Sequence, residues 1–230
     1  MQGTITSVVT RDPVAALTFD DGPHPQYTPL LLEILEQYQA RATFFMVGES
    51  AHKHPQLVRQ VAQAGHAVGN HSWNHPFFPS LPSHQRRKQI RVCEYALAPY
   101  GQRLFRPPYG AEDLASHLDA LSLHYKAVAW NLDAEDWLAR DPAWMADVLT
   151  RGLQPGSIVL LHDAICGSEQ AVPQYNREPM LTAVTLFLER LGGCFAFVTI
   201  PELLRHGRPQ CYNWRVQDDV TSQEFSSSKE

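Results

Sequence analysis

Short apolar runs recur along this chain, separated by longer stretches whose apolar residues fall three and four positions apart. The runs occupy residues 14–19, 42–47, 66–69, 103–105, 125–130, 158–161 and 195–200. Brief apolar runs of this kind, bounded by turn residues, suit strands buried on both faces. The periodic stretches predict helices. Leu30, Leu31, Ile34, Leu35 and Tyr38 form one stripe, with Thr28-Pro29 as its cap and first turn. Pro55 opens a second helix with Leu57, Val58, Val61 and Ala62 inward, and Gly65 closes it. Ser83 begins a third, carrying Ile90, Cys93 and Leu97, and residues 114–121, 142–149 and 179–191 supply three more. Seven strands alternating with helices predict a parallel β/α architecture.

Candidate chemistry bears on whether that sheet closes. Polar residues with catalytic potential follow several different strands, and a distorted (β/α)7 barrel gathers such residues at the C-terminal ends of its strands. An open sheet with a switch-point cleft is the alternative, yet no glycine-rich phosphate loop accompanies these strands. There is no internal repeat. Residues 164–177 read as a long polar loop bordering the mouth. Residues 1–216 read as one domain and 217–230, QDDVTSQEFSSSKE, as a polar, flexible tail.

Composition removes several function classes. Hydrophobic residues make up 44% and charged residues 19% of the chain, as in an ordinary globular protein. The net charge is −5, and the only compact basic run, Arg86-Arg87-Lys88, reads as a solvated helix face. A nucleic-acid partner is therefore not expected. No apolar stretch approaches the ~20 residues that span a bilayer. The N-terminus has neither a basic start nor a sustained apolar stretch. The expectation is a cytoplasmic protein, or a secreted or cell-envelope one trimmed of its leader. Cys93, Cys166, Cys194 and Cys211 show no C-x-x-C spacing. Cys194 opens an apolar run and reads as a buried thiol, while Cys166 and Cys211 fall in loop-like sequence.

Two motifs carry the chemistry. Asp20-Asp21, in LTFDDGPHP, ends the first run and is stopped by Gly22-Pro23. Neighbouring strand residues point to opposite faces, but a turn at the strand end can bring both carboxylates into one cleft. One then holds a cation while the other takes a proton; ordinary Asp-Gly-Pro turn chemistry is the plainer alternative. Asn70-His71-Ser72-Trp73-Asn74-His75 follows the third run. Histidines four apart on one helical turn can share a divalent cation, although such pairs also arise by chance. Ser72 stands where an H-E-x-x-H protease would have its glutamate, so a base must come from elsewhere.

TFDDGP with HSWNH resembles the first two motifs of the polysaccharide deacetylase family, carbohydrate esterase family 4. RPPYG (residues 106–110), DAEDW (133–137) and LLHD (160–163) resemble its remaining three, in order, and FVTIPELL resembles its last strand and helix. The resemblance implies that Asp21, His71 and His75 bind one divalent metal, zinc by default, with cobalt or nickel also acceptable. It implies Asp20 as general base, Arg106 as its ion-pair partner, and the backbone N–H of Tyr109 as an oxyanion donor. His162 becomes the general acid, held by Asp136, while Trp137 and Leu160 wall a pocket for an acetyl methyl group. Ser72 is expected to hold the loop between the two histidines. Trp73, Phe77, Phe78 and Tyr109 are loop aromatics suited to sugar stacking or to covering the core.

The implied activity is removal of N-acetyl groups from chitin-, chitooligosaccharide- or peptidoglycan-type substrates, with residues 1–216 as the catalytic domain. An O-acetyl esterase acting on xylan is the rival. A sugar-binding module with a vestigial metal site is a more distant one.

Overall fold

The computed structural model describes residues 3–138, 140–166, 175–191 and 193–212. Its strands are β1 (Thr4–Val9), β2 (Val14–Asp20), β3 (Ala42–Met46), β4 (Ala67–Asn70), β5 (Gly101–Phe105), β6 (Lys126–Ala127), β7 (Leu132–Asp133), β8 (Ile158–His162), β9 (Ala196–Phe197) and β10 (Arg208–Tyr212). Its helices are α1 (Tyr27–Gln37), α2 (Gly48–Lys53), α3 (Pro55–Gln63), α4 (Ser83–Leu97), α5 (Leu114–Ser122), α6 (Pro142–Gly152), α7 (Glu178–Leu191) and α8 (Ile200–Leu203).

The fold is a distorted (β/α)7 barrel. Parallel strands run in the order β6-β5-β4-β3-β2-β8-β7, and β9 joins the first residues of β2. The expected strand over 125–130 is divided: β6 pairs with β5 at one edge, and β7 pairs with β8 at the other. Only four residues separate these two short strands, so one segment ties both edges and curls the sheet on itself. Pairing with two different neighbours leaves too few residues for one continuous strand.

Period-two alternation decides what faces the interior. On β2, Leu17 and Phe19 pack outward under the helices while Val14 and Ala16 join the inner cluster with Phe45, Leu104, Val128 and Ile158. Thr18 and Asp20 continue that inward row toward the mouth. On β8 the same alternation sends Val159 and Leu161 outward, leaving Leu160 and His162 on the inner row. Asp20 and His162 are register partners across the β2–β8 ladder.

The antiparallel ribbon β1–β10 was not anticipated. Ile5 and Val8 of β1 enter the inner cluster, so the ribbon fills the end of the barrel opposite the mouth. Other expectations need correction. Helix α1 starts at Tyr27 with Gln26 as N-cap and no side-chain cap bond. Thr28 is instead buried, its hydroxyl turned to Asp163. Arg86 is not solvated, because its Nε donates to Asp119 Oδ2 at 2.7 Å and ties α4 to α5. Cys194 is exposed, Cys93 is the buried thiol, and Cys211 lies on β10 rather than in a loop. All four are free. The tail 217–230 and most of the loop 164–177 lie outside the described residues. Among the described residues, no helix is long and apolar enough to cross a membrane.

Candidate active site

Four strand ends supply the mouth: β2 brings Asp20 and Asp21, β4 leads to His71 and His75, β5 to Arg106 and Tyr109, and β8 ends at His162. Backbone cost is concentrated here. Asp21, Ser72, His75, Tyr109 and Glu135 are five of seven non-glycine residues with positive φ among the described residues. Such conformations cost about 1 kcal/mol or more each and persist where surrounding contacts over-determine them.

Those contacts can be named. Asn70 Oδ1 accepts from Ser72 N at 2.9 Å, and Ser72 Oγ accepts from His75 N at 3.0 Å. Gln89 Oε1, on α4, accepts from Trp73 N at 2.9 Å and Asn74 N at 3.2 Å. Ser72 thus holds the loop as expected. The two histidines do not share a helical turn, however; they converge because this irregular loop folds back.

His71 Nδ1 lies 2.8 Å from the Arg106 carbonyl oxygen. A carbonyl only accepts, so Nδ1 carries the proton, and the Nε2 of a neutral ring presents a lone pair. That Nε2 is 3.4 Å from Asp21 Oδ1, and His75 Nε2 is 3.3 Å from the same oxygen. Asp21 Oδ2 accepts from Cys166 N at 2.8 Å, while Oδ1 is buried with no hydrogen-bond partner among the described residues. Burial pushes the Asp21 carboxyl up. The His71 and His75 rings, with His162 farther off, outweigh this and hold it well below the usual carboxylate range. Burial presses His75 down to about 4 against the pull of Asp21, keeping it neutral.

A carboxylate oxygen facing imidazole lone pairs is repulsive unless a cation lies between them. One ligand atom from each of Asp21, His71 and His75 falls within 4.8 Å of the others. Two imidazoles and one carboxylate are the donor set of an open divalent-metal site, so these residues fit such an ion.

Asp20 stands beside this cluster, held from the opposite side. Arg106 Nη1 donates to Asp20 Oδ1 at 2.7 Å and to Thr18 Oγ1 at 2.8 Å. Its Nε and Nη2 donate to the carbonyls of Val128 and Ala129 at 3.2 and 2.9 Å, with the Phe45 ring 4.2 Å beneath the guanidinium. Gly69 makes room for that ring: a Cβ there would stand 2.6 Å from Phe45. Arg106 is fully buried, as a guanidinium must be paired to be.

Across the mouth, His162 Nδ1 donates to Asp136 Oδ1 at 2.8 Å and His162 N to Asp136 Oδ2 at 2.9 Å. Burial would lower the imidazole pKa, but Asp136, reinforced by Asp21 and Asp20, raises it to about 9. Arg177 was missed in the sequence. It is buried and donates from Nη1 to the Asp136 carbonyl at 3.0 Å, with Asp136 Oδ2 at 3.4 Å.

The apolar expectations divide. Leu160 is buried and Trp137 is 36% exposed, its ring set edge-on to His162 with centroids 5.5 Å apart. Tyr109 is 53% exposed and meets the His75 ring at 4.4 Å. Phe78 is wholly buried against Phe105 and offers no stacking face, whereas Phe77 lies 6.4 Å from Tyr109. Trp73 is partly covered against His52.

A family model described as polysaccharide deacetylase matches residues 7–128. A peptidoglycan-N-acetylglucosamine deacetylase of Bacillus cereus is 34% identical over 203 residues, which cover 86% of this chain and 92% of that protein. A chitooligosaccharide deacetylase of Azorhizobium caulinodans is 36% identical over 160 residues, covering 68% of this chain and 76% of that one. Among solved structures, a peptidoglycan N-acetylglucosamine deacetylase in complex with 4-naphthalen-1-yl-N-oxidanyl-benzamide matches with a TM-score of 0.80 at 28% identity. The match covers 91% of this chain and 96% of that one.

Proposed function

The chain belongs to the polysaccharide deacetylase family, and from that premise we propose that it removes N-acetyl groups from β-linked N-acetylglucosamine polymers or oligomers. One observation carries this reading: an arginine-held carboxylate and a carboxylate-bound imidazole are paired across the β2–β8 ladder, beside an Asp/His/His cluster able to hold a metal ion. Base, acid and electrophile are what hydrolysis of an amide requires.

Asp21, His71 and His75 would hold one divalent ion, zinc by the match to mixed imidazole and carboxylate donors, with cobalt or nickel also suited. Such an ion polarises a carbonyl and makes water a stronger acid. Asp20 takes the proton of the attacking water, and Arg106 fixes its direction. The backbone N–H of Tyr109 is assigned to the developing oxyanion. An amine departs poorly as an anion, so His162 hands its proton to the leaving nitrogen. Asp136 keeps that proton in place until it is needed, and Arg177 fixes Asp136. Trp137 and Leu160 border the methyl group of the acetyl. In the relatives named above, the substrates are peptidoglycan N-acetylglucosamine and chitooligosaccharide.

Mass spectrometry after incubation of zinc-loaded protein with chitin oligomers, peptidoglycan fragments and acetylated xylan tests the proposal. The expected result is loss of acetyl units from one or both glucosamine-based substrates. Loss from xylan alone would reassign the site to O-acetyl ester cleavage. No loss from any substrate would leave a sugar-binding module.

A further inference from the structure

Asp163 has no part in the chemistry above, yet it is fully buried one residue beyond His162, opposite the turn that follows Asp20. Its Oδ2 accepts from Thr28 Oγ1 at 2.5 Å, and the same hydroxyl accepts from His24 N at 2.8 Å. The carboxyl is therefore chained through Thr28 to the far end of the DDGPHP turn. Its near end is held as well. A Cβ placed on Gly22 would lie 2.4 Å from both Asp163 oxygens, so the glycine α-hydrogen in that direction points between them. Any side chain at position 22 would drive the carboxyl out of its place. The Gly22 carbonyl accepts from Val47 N at 2.9 Å, pinning the same residue to the end of β3.

Asp163 Oδ1 finds no hydrogen-bond donor among the described residues. A buried carboxyl with one oxygen unsatisfied is costly, and nearby Asp20 and Asp21 make it costlier when ionised. Burial first, with those two charges adding, pushes its pKa up to about 7 despite the Thr28 bond. A group this unfavourable persists where its shape is needed. A planar carboxyl fits both the bare Gly22 backbone and the Thr28 hydroxyl.

We propose that Asp163 is a positioning residue: the post against which the 21–24 turn is built, so that Asp21 is aimed at His71 and His75 while Asp20 stays with Arg106. This rests on the reading of Asp21 as a metal ligand. It concerns placement and not charge, which makes it separable from a role as an additional anion near the metal.

The test measures zinc affinity of the metal-free protein by competition with a chromophoric chelator, beside its thermal midpoint and its acetate release. Asp163→Asn keeps the planar shape and an acceptor for Thr28, so zinc affinity and turnover should stay within about threefold of the parent. Asp163→Ala should weaken zinc binding about tenfold or more and lower turnover with it. Gly22→Ala leaves Asp163 in the chain but displaces its carboxyl, and should reproduce the alanine result. Thr28→Val should do so in part. Gly22→Ala and Thr28→Val carry the test should Asp163→Ala fail to fold.

Zinc affinity of Asp163→Ala or Gly22→Ala equal to the parent would overturn the proposal. Asp163→Asn as weak as Asp163→Ala would overturn it in favour of charge. A parent chain that binds no zinc would instead overturn the metal reading, and this inference with it. A parent that binds zinc without releasing acetate would leave the affinity comparison fully decisive.

Discussion

On the β2–β4 side of the mouth, Asp21 faces His71 and His75; on the β8 side, Asp136 faces His162. Both contacts pair a buried carboxylate with imidazole, yet their proton affinities diverge. His75 is held down at about 4, because burial outweighs what Asp21 returns while a second imidazole opposes its charge. His162 is raised to about 9 despite burial, because its ring Nδ1–H bonds directly to Asp136 Oδ1, with Asp21 and Asp20 adding. Burial decides the first ring, and a direct hydrogen bond to a carboxylate decides the second. Paired titratable groups pushed in opposite directions are how acid and base assignments arise at a single pH.

The largest break in this comparison is loss of a ring from the proposed metal site. His71→Ala should lower acetate release more than about 10³-fold, the loss of several kcal/mol of electrophilic assistance. Metal content after dialysis should fall too, and undiminished content would contradict its place. Asp20→Asn comes next, with turnover down about 10²–10⁴-fold while metal content is unchanged. Near-normal turnover would remove Asp20 from its role.

His162→Ala probes the opposite side. N-acetyl cleavage should fall about 10²-fold, while an aryl acetate, whose phenolate leaves without a proton, should lose far less. Equal losses on both substrates would argue against proton donation. Asp136→Asn has the smallest effect at low pH. The alkaline limb of kcat/KM should move down by about one to two pH units, because the acid form of His162 loses its main support. The same contact feeds stability. With the folded pKa raised to about 9, its contribution is fully present below the ordinary histidine range and lost as pH rises through about 9. A thermal-midpoint series over that window should flatten in Asp136→Asn.

Much of this was legible in the chain itself. Strands β2 and β8 are runs without an ionisable residue until their last position, so pattern alone located them and the polar ends where a barrel opens. Asp20, Asp21, His71, His75, Arg106, Asp136 and His162, all picked out by motif, lie together at one mouth. What was missed lacks a local signal. β6 and β7 are two residues each and exist only through pairing with β5 and β8. β1 and β10 find each other across nearly the whole described chain. Arg177 and Asp163 look like loop polar residues, and their burial follows from partners at Asp136 and Thr28. Arg86 reads as solvated in its basic run, and Asp119 on α5 is what buries it. Cys194 shows the reverse error: an adjacent apolar run does not bury the residue before it.

The division of labour between the two imidazoles is tested most directly by NMR titration of the metal-free protein with histidine ring carbons labelled and assigned by single substitutions. His162 should stay protonated through neutrality and titrate near 9, and His75 should remain neutral down to near 4. A His162 that deprotonates at or below the ordinary histidine value, or a His75 charged at neutral pH, would contradict the account.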